Sequence, residues 1–319
     1  MKEQSGGRDV SLDAGSGILI VFIVALHARL IKNEPFSLIH FLGFFMPWFF
    51  YKAGMFYKNE EQKLWIYFKN KAKRLGPPYL FIVFTTLFLS DSPFPSKDSI
   101  LDFLLFVNGA VVIKWFLEAY FIASVLFKII PKDKLVLCIV AIVLFVLTDI
   151  LNRYFADTPY TILIVKQVPC ALFYMIVGFL LKEKQYLQKH IWEWIGALSL
   201  FYLFIIVIYP SNVDMRLQQI NYGYFEIAVW GNIVGIILFN NILKALVKYL
   251  PMLFIYIGYN SFAYYVLHRP CMQVLGLEPI TIGVSDNHIF CFATVLFIVP
   301  LLIFVAKKVK LGSIIGVKY

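Results

Sequence analysis

Four ionisable side chains lie inside or at the ends of long apolar stretches, where a charge is costly: His27, Lys52, Glu118 and His268. On insertion scales such a group costs about 2.5 to 3.5 kcal/mol at the centre of a membrane-spanning helix. Each of them is therefore a candidate functional residue. An imidazole has an unperturbed pKa of about 6.5 and suits proton abstraction from a hydroxyl group, so the two histidines indicate general acid–base chemistry.

Each of these residues also has a purely structural explanation. A histidine at the end of an apolar stretch can serve as an interfacial anchor, which applies to both His27 and His268. Glu118 can form an internal ion pair with Lys114, because residues four apart share one face of a helix. Lys52 can extend its ammonium group to the membrane surface along its aliphatic stem. The residue types alone leave both explanations open.

The elements that must position these residues are membrane-spanning helices. The chain has 319 residues, of which 61% are hydrophobic and 15% are charged, and its mean hydropathy is +0.77. A soluble chain has about a quarter charged residues, and one span needs roughly 20 apolar residues. We therefore predict an all-α, polytopic membrane helix bundle of about ten transmembrane helices, forming a single domain over residues 1–319. The predicted segments are 15–30, 38–57, 77–90, 112–130, 134–151, 161–181, 191–209, 222–243, 251–268 and 287–306. The third is short, so it is expected to be tilted, broken or partly covered by its neighbours.

The net charge of +10 and the pI near 9.3 have two explanations, nucleic-acid binding and membrane topology. Of the 29 Lys and Arg residues, 20 fall at the termini and in the even-numbered loops, whereas eight fall on the opposite side. Cytoplasmic loops of membrane proteins carry this excess of positive charge. We therefore predict that both termini are cytoplasmic, and we expect no nucleic-acid partner.

The four cysteines lie in or beside apolar segments, without a C-x-x-C motif or a histidine at metal-ligand spacing. They are Cys138, Cys170, Cys271 and Cys291. We interpret them as small buried hydrophobic residues, and we expect no metal site.

Five short motifs follow one another along the chain. They are SLD at 11–13 leading to His27, FMPWFF at 45–50 with AG at 53–54, KRL at 73–75 with PPY at 77–79, KWFL at 114–117, and NS at 260–261 leading to His268. In these motifs and their order, the chain resembles the acyltransferase 3 family of bacterial integral-membrane O-acyltransferases.

The resemblance implies transfer of an acyl group, usually acetyl from acetyl-coenzyme A in the cytoplasm, to a hydroxyl group of an extracytoplasmic sugar, polysaccharide or glycolipid. It also implies a multi-pass protein of the bacterial inner (cytoplasmic) membrane. The family's essential first-span histidine corresponds to His27, and its basic residue eleven positions earlier corresponds to Ser16. This departure from the family pattern raises the question of how the phosphates of the coenzyme are held.

Lys52 supplies the missing cation in our hypothesis. Eleven helical residues span about 16 Å, so Ser16 lies near the inner face of the membrane, at a depth similar to that of Lys52. Together with Lys73, Arg74 and Asp13, these two residues are predicted to form a cytoplasmic site for acetyl-coenzyme A.

For the transfer itself, we expect His27 to act as the general base, with a transient acyl-histidine as the alternative. Glu118 or Asp13 is expected to orient His27, although Asp13 lies deep on the cytoplasmic side. His268 is expected to assist catalysis or to bind the acceptor.

Two other function classes stay open. The first is a polytopic transporter or glycolipid flippase, and the second is a non-catalytic relative that acts as a sensor or scaffold. Transporters commonly carry broken helices in corresponding positions of two repeats, and the sequence shows no such paired breaks, which disfavours the first class. Ser16 keeps the second class open.

Overall fold

The computed structural model describes residues 9–31, 38–58, 62–89, 114–154, 164–182, 190–214, 219–274 and 287–317. Its α-helices are α1 (Val10–His27), α2 (Leu38–Phe41), α3 (Phe45–Met55), α4 (Leu64–Leu89), α5 (Lys114–Ile129), α6 (Lys134–Tyr154), α7 (Ile164–Leu181), α8 (Ile191–Ile208), α9 (Phe225–Leu246), α10 (Met252–Tyr259), α11 (Ser261–Val274) and α12 (Asn287–Lys308). A short antiparallel hairpin, β1 (Asn212–Asp214) and β2 (Gln219–Tyr222), lies between α8 and α9, and a 3₁₀ helix (Gly312–Ile315) follows α12. The described chain is thus almost entirely helical, as predicted.

Among the described residues, six helices are long and apolar enough to cross a membrane, namely α1, α6, α7, α8, α9 and α12. The chain is therefore a polytopic membrane protein. Burial divides these helices into two groups: 72% of α1 and 67% of α7 are buried, compared with 22% of α6 and 11% of α8. Helices α1 and α7 thus form the centre of the bundle, while α6 and α8 present apolar side chains to the surrounding lipid.

Two of the predicted segments are divided into shorter helices. Segment 38–57 contains α2 and α3, which are separated by a turn at residues 42–44. Segment 251–268 contains α10 and α11, which are separated at Asn260. One break lies in each half of the chain. The two breaks lie in the second and the ninth predicted segments, which are not corresponding positions of two halves, so the described residues show no paired breaks of the kind found in transporters.

Helix α4 begins at Leu64, well before the predicted start of the third segment at residue 77. It contains Pro77 and Pro78, which have no backbone N–H to donate within a helix. Because α4 begins at Leu64, the basic stretch from there to Arg74 is helical. Its lysine and arginine side chains therefore point to different faces of the helix, and only some of them share one face.

Two close helix crossings fix the positions of α1 and α3. At the first, an added Cβ at Gly258 would lie 1.6 Å from a backbone oxygen of α1, and one at Gly17 would lie 1.9 Å from a backbone oxygen of α10. At the second, a Cβ at Gly54 would lie 1.9 Å from a backbone oxygen of α7, and one at Gly178 would lie 2.0 Å from a backbone oxygen of α3. Small residues of this kind allow membrane helices to pack backbone to backbone. Both helices are therefore held in one position relative to their neighbours.

The cysteines are free thiols, and Cys170, Cys271 and Cys291 are buried as predicted. Cys138 is exposed, so its assignment as a buried residue was wrong. It lies on α6, most of whose surface faces outward from the bundle.

Candidate active site

The last residue of α1, His27, contacts His268 of α11. Nδ1 of His27 lies 2.6 Å from Nε2 of His268. The two ring planes differ by 2°, and the ring centroids are 4.8 Å apart. That separation is close to the N···N distance plus two ring radii, so the rings lie edge to edge in nearly one plane and the hydrogen bond is close to linear. His268 is fully buried and His27 is half-buried. Of the two rings, only that of His27 is therefore partly accessible to solvent or to a ligand.

The hydrogen bonds of His268 fix the tautomers of both neutral rings. Its Nδ1 lies 2.8 Å from the carbonyl oxygen of Tyr265 and 3.1 Å from that of Tyr264. A carbonyl oxygen can only accept, so Nδ1 carries the proton and Nε2 is the acceptor. His27 must then donate through its Nδ1, and its Nε2 carries a lone pair instead of a proton. The pair is thus arranged to accept a proton at Nε2 of His27.

Near the other end of α1, the ammonium group of Lys52 reaches across from α3 to Ser16. Its Nζ donates to Ser16 Oγ at 2.5 Å and to the carbonyl oxygen of Leu12 at 3.1 Å. The hydroxyl of Ser16 in turn donates to Leu12 at 2.9 Å. Asp13 Oδ1 lies 4.0 Å from the ammonium nitrogen. The structure therefore brings Ser16, Asp13 and Lys52 together, as the depth argument predicts.

A cavity of about 470 Å³, here called the basic cavity, lies beside Lys52. Five cationic side chains line it, and no acidic residue is among the described residues that do so. They are Lys52, Lys58, Lys71, Arg74 and Lys128. Seven aromatic side chains also line it, namely Phe49, Phe56, Tyr57, Tyr67, Phe116, Tyr120 and Phe262. A concave surface with charges of one sign concentrates ions of the opposite sign, so this cavity favours an anionic ligand that also carries a flat ring.

Helical spacing decides which cations of α4 reach the basic cavity. Tyr67, Lys71 and Arg74 follow one another at intervals of four and three, so they lie on one face of the helix. The ammonium group of Lys71 donates to Tyr120 Oη at 3.0 Å and lies 4.5 Å from the centre of its ring. Lys73, predicted from the sequence to bind the donor, is exposed and does not line the cavity. It points elsewhere because the stretch that was taken for a loop is a helix.

A second, smaller cavity, here called the apolar chamber, lies between the basic cavity and the histidine pair. Its volume is about 70 Å³. It shares four lining residues with the basic cavity, and the other four line the chamber without lining the basic cavity. The shared residues are Phe49, Phe116, Ser261 and Phe262, and the other four are Ile20, Ile23, Met46 and Tyr265.

Two of the chamber residues lead to the histidines. Ile23 precedes His27 by four residues, or about one helical turn. The ring of Tyr265 lies 6.1 Å from that of His268. The basic cavity, the apolar chamber and the imidazole pair therefore follow one another along α1.

Glu118 does not hydrogen-bond to His27 in this structure. Its carboxylate accepts from Tyr79 Oη at 3.0 Å and pairs with Lys114 Nζ at 3.3 Å, and both ion-pair partners are buried. The internal ion pair with Lys114 is thus present. The geometry gives Glu118 the role of joining α4 to α5, and His268 occupies the orienting position beside His27.

The site residues predicted from the sequence did not include Lys71, Tyr120 or Lys128, which line the basic cavity. The spacing of Tyr67, Lys71 and Arg74 carried a usable signal, but only once the stretch is recognised as helical. Lys128 was counted as a loop cation, although it lies in the last turn of α5 and lines the basic cavity. The carbonyl groups that set the histidine tautomers had no sequence signal at all.

A family model described as an acyltransferase domain matches residues 9–307 of the chain. The matched region contains the histidine pair and every residue that lines the two cavities. It confirms the resemblance deduced from the five motifs. No curated protein matches the chain.

Proposed function

Because this chain belongs to the acyltransferase 3 family, and is therefore a membrane acyltransferase, we propose that it transfers a short acyl group from cytosolic acyl-coenzyme A to an extracytoplasmic hydroxyl group. The acyl group is most simply acetyl, and the hydroxyl belongs to a sugar, polysaccharide or glycolipid. We place the protein in the bacterial inner membrane, with about ten spans and both termini in the cytoplasm. The observation that carries the proposal is that α1 links the basic cavity at Ser16 to the imidazole pair at His27.

The basic cavity supports a phosphorylated donor. Coenzyme A carries several phosphate charges, which five cationic side chains match in sign. Its adenine ring suits the aromatic walls, where Tyr67 and Tyr120 both lie beside the ammonium group of Lys71. Lys52 supplies from α3 the cation that the family pattern places at position 16. A serine there is consequently compatible with donor binding.

The histidine pair supports catalysis at the opposite end of α1. In the proposed step, Nε2 of His27 takes the proton of the acceptor hydroxyl while the hydroxyl oxygen bonds to the thioester carbonyl carbon. The carbon–sulfur bond then breaks, and the coenzyme A thiolate leaves and takes up the proton from His27. His268 accepts the Nδ1–H bond throughout, so it holds the ring in place and stabilises its transient positive charge.

The apolar chamber supports the proposal because it can keep water away from the thioester of the donor. Its walls are hydrophobic or aromatic apart from the hydroxyl groups of Ser261 and Tyr265. A thioester that passes through such a space meets the acceptor hydroxyl before it meets bulk water. Transfer is thereby favoured over hydrolysis.

The test measures transfer of radiolabelled acetyl from acetyl-coenzyme A, and release of free coenzyme A, in envelope membranes of a deletion strain complemented with each variant. His27→Gln should lower transfer by about two to four orders of magnitude, the range expected for a general base. His190→Gln is the matched control, because His190 is exposed and bonds only to Glu193 among the described residues. Equal abundance of the variants in the membrane is checked by immunoblot.

The outcomes separate the competing functions. No coenzyme A release by any form of the protein would support a transporter or a non-catalytic sensor. Full activity of His27→Gln with normal release would instead remove the proposed base.

A further inference from the structure

The apolar chamber is small compared with known ligand-binding cavities. Its volume is about 70 Å³. An apolar protein cavity of about 150 Å³ holds benzene, which has six carbon atoms. By that ratio the chamber holds about three non-hydrogen atoms. An acetyl group has this size, whereas a butyryl group has two atoms more.

The chamber also lacks charge. None of the described residues that line it is ionised at neutral pH, and its polar side chains are those of Ser261 and Tyr265. A carboxylate placed there would be taken out of water without a counter-ion, which is strongly unfavourable. The five cations that would attract a carboxylate lie in the basic cavity instead.

The aromatic part of the wall is held rigidly. The ring of Phe116 lies 5.0 Å from that of Phe50, 5.1 Å from that of Tyr265 and 6.1 Å from that of Phe49. A longer acyl group therefore cannot displace Phe116 without moving several rings at once.

The side of the chamber away from the basic cavity is formed by Ile20, Ile23, Met46 and Tyr265. Met46 is the unbranched side chain of this set, and it is 8% exposed. It occupies space that an acyl chain longer than acetyl would need.

Resting on the proposed function, we propose that Met46, together with Ile23, sets the upper limit on acyl length, and that the uncharged wall excludes carboxylated acyl groups. One extra methylene in a hydrophobic pocket changes kcat/KM by about 10- to 200-fold. Butyryl-coenzyme A should therefore have at least a tenfold lower kcat/KM than acetyl-coenzyme A. Succinyl-coenzyme A should be used still less.

Met46→Ala tests the length limit, because it removes three non-hydrogen atoms and so frees room for a butyryl chain. The ratio of kcat/KM for butyryl to that for acetyl should rise at least about tenfold. Met55→Ala is the matched control, since Met55 lies on the same helix and lines neither cavity. Its ratio should equal that of the wild type. Ile23→Ala is the second variant if Met46→Ala does not accumulate in the membrane.

The results distinguish this inference from the proposed function. If the wild type uses acetyl and butyryl donors equally well, or if both chamber variants keep the wild-type ratio, the length limit is disproved while the acyltransferase proposal stands. Use of succinyl-coenzyme A at the acetyl rate would disprove the charge exclusion. If no acyl-coenzyme A is used, the proposed function itself fails.

Discussion

Lys52→Ala gives the sharpest separation between donor binding and folding. In the structure the ammonium group makes two hydrogen bonds to neutral oxygens of α1, and its side chain is 20% exposed. Because the donor is charged, each such bond contributes roughly 1.5 to 3 kcal/mol when fully buried and less at this partly exposed site, and the 4.0 Å pair with Asp13 contributes less still. The loss of folding free energy is therefore on the order of a few kcal/mol, so folding is measured beside donor binding.

The expected effect on donor binding is a rise in KM. A hydrogen bond from an ammonium group to a phosphate is worth about 1.5 to 3 kcal/mol. Since about 1.4 kcal/mol corresponds to a tenfold change, KM for acetyl-coenzyme A should rise about 10- to 150-fold. The assay is transfer of labelled acetyl over a range of donor concentrations, with a thermal unfolding midpoint measured on the same preparations.

Lys73→Ala is the matched control, because it removes the same charge from an exposed position outside the basic cavity. Its KM should stay within about twofold of the wild type. A double variant tests for rescue. Ser16→Arg combined with Lys52→Ala places a cation at position 16 of α1, where the family pattern has its basic residue. It should recover most of the lost donor affinity. An unchanged KM in Lys52→Ala, with the protein folded, would refute the assignment of Lys52 to the donor site.

Three further predictions follow from other contacts. His268→Asn should lower kcat about a hundredfold with little change in KM for the donor, because the imidazole of His27 loses its hydrogen-bond acceptor. The acid limb of the pH–rate profile should also shift. An unshifted profile would limit the role of His268 to packing. Gly258→Ala should sharply lower the amount of folded protein, since its Cβ would meet a backbone oxygen at 1.6 Å, whereas Gly196→Ala, with nothing within 4 Å, should not. In a chain whose native cysteines are replaced by serine, a cysteine at the exposed Arg29 should react with an impermeant maleimide from outside, and one at the exposed Lys58 only after permeabilisation. Labelling of both from the same side would end the proposed topology.

The depth of polar residues within apolar segments could be predicted from the sequence. The rise per residue places Ser16 and Lys52 at similar depth, and they are in contact in the structure. His27 and His268 were predicted to end spans on the same side, and their rings are hydrogen-bonded, although α11 continues past His268 to Val274. Helix α1 is continuous from Ser16 to His27, so counting residues along it was sufficient.

Breaks and early helix starts could not be predicted in the same way. Hydropathy records that a segment is apolar, but it does not record whether one helix or two cover it. The turn at Asn260 leaves its segment apolar, and the extension of α4 back to Leu64 runs through a basic stretch that hydropathy excludes from a span. The wrong assignment of Lys73 to the donor site has the same origin. In a loop its side chain could have pointed towards the cavity, whereas its position on helix α4 directs it elsewhere.

Glu118 shows that the free-energy cost of burying a charge marks a residue as unusual without giving its role. A buried carboxylate requires a compensating partner, and this requirement correctly marked the residue as unusual. It does not say which partner provides the compensation. Lys114, one turn before it, and Tyr79 on α4 supply the contacts, so the carboxylate is accounted for by structure.

The length of α1 between its two functional ends matches the donor that the proposed function requires. Ser16 and His27 are eleven residues apart on one helix, which corresponds to about 16 Å. The pantetheine arm has about as many backbone bonds as four to five amino-acid residues, each reaching at most ~3.6 Å, so its extended length is about 15 Å. In the proposed function, phosphates held beside Lys52 therefore place the thioester near the histidine pair without any movement of helices. A cation one helical turn further from His27 would leave the thioester about 5 Å short of the base, so the proposed function requires the α3 lysine to lie at this depth.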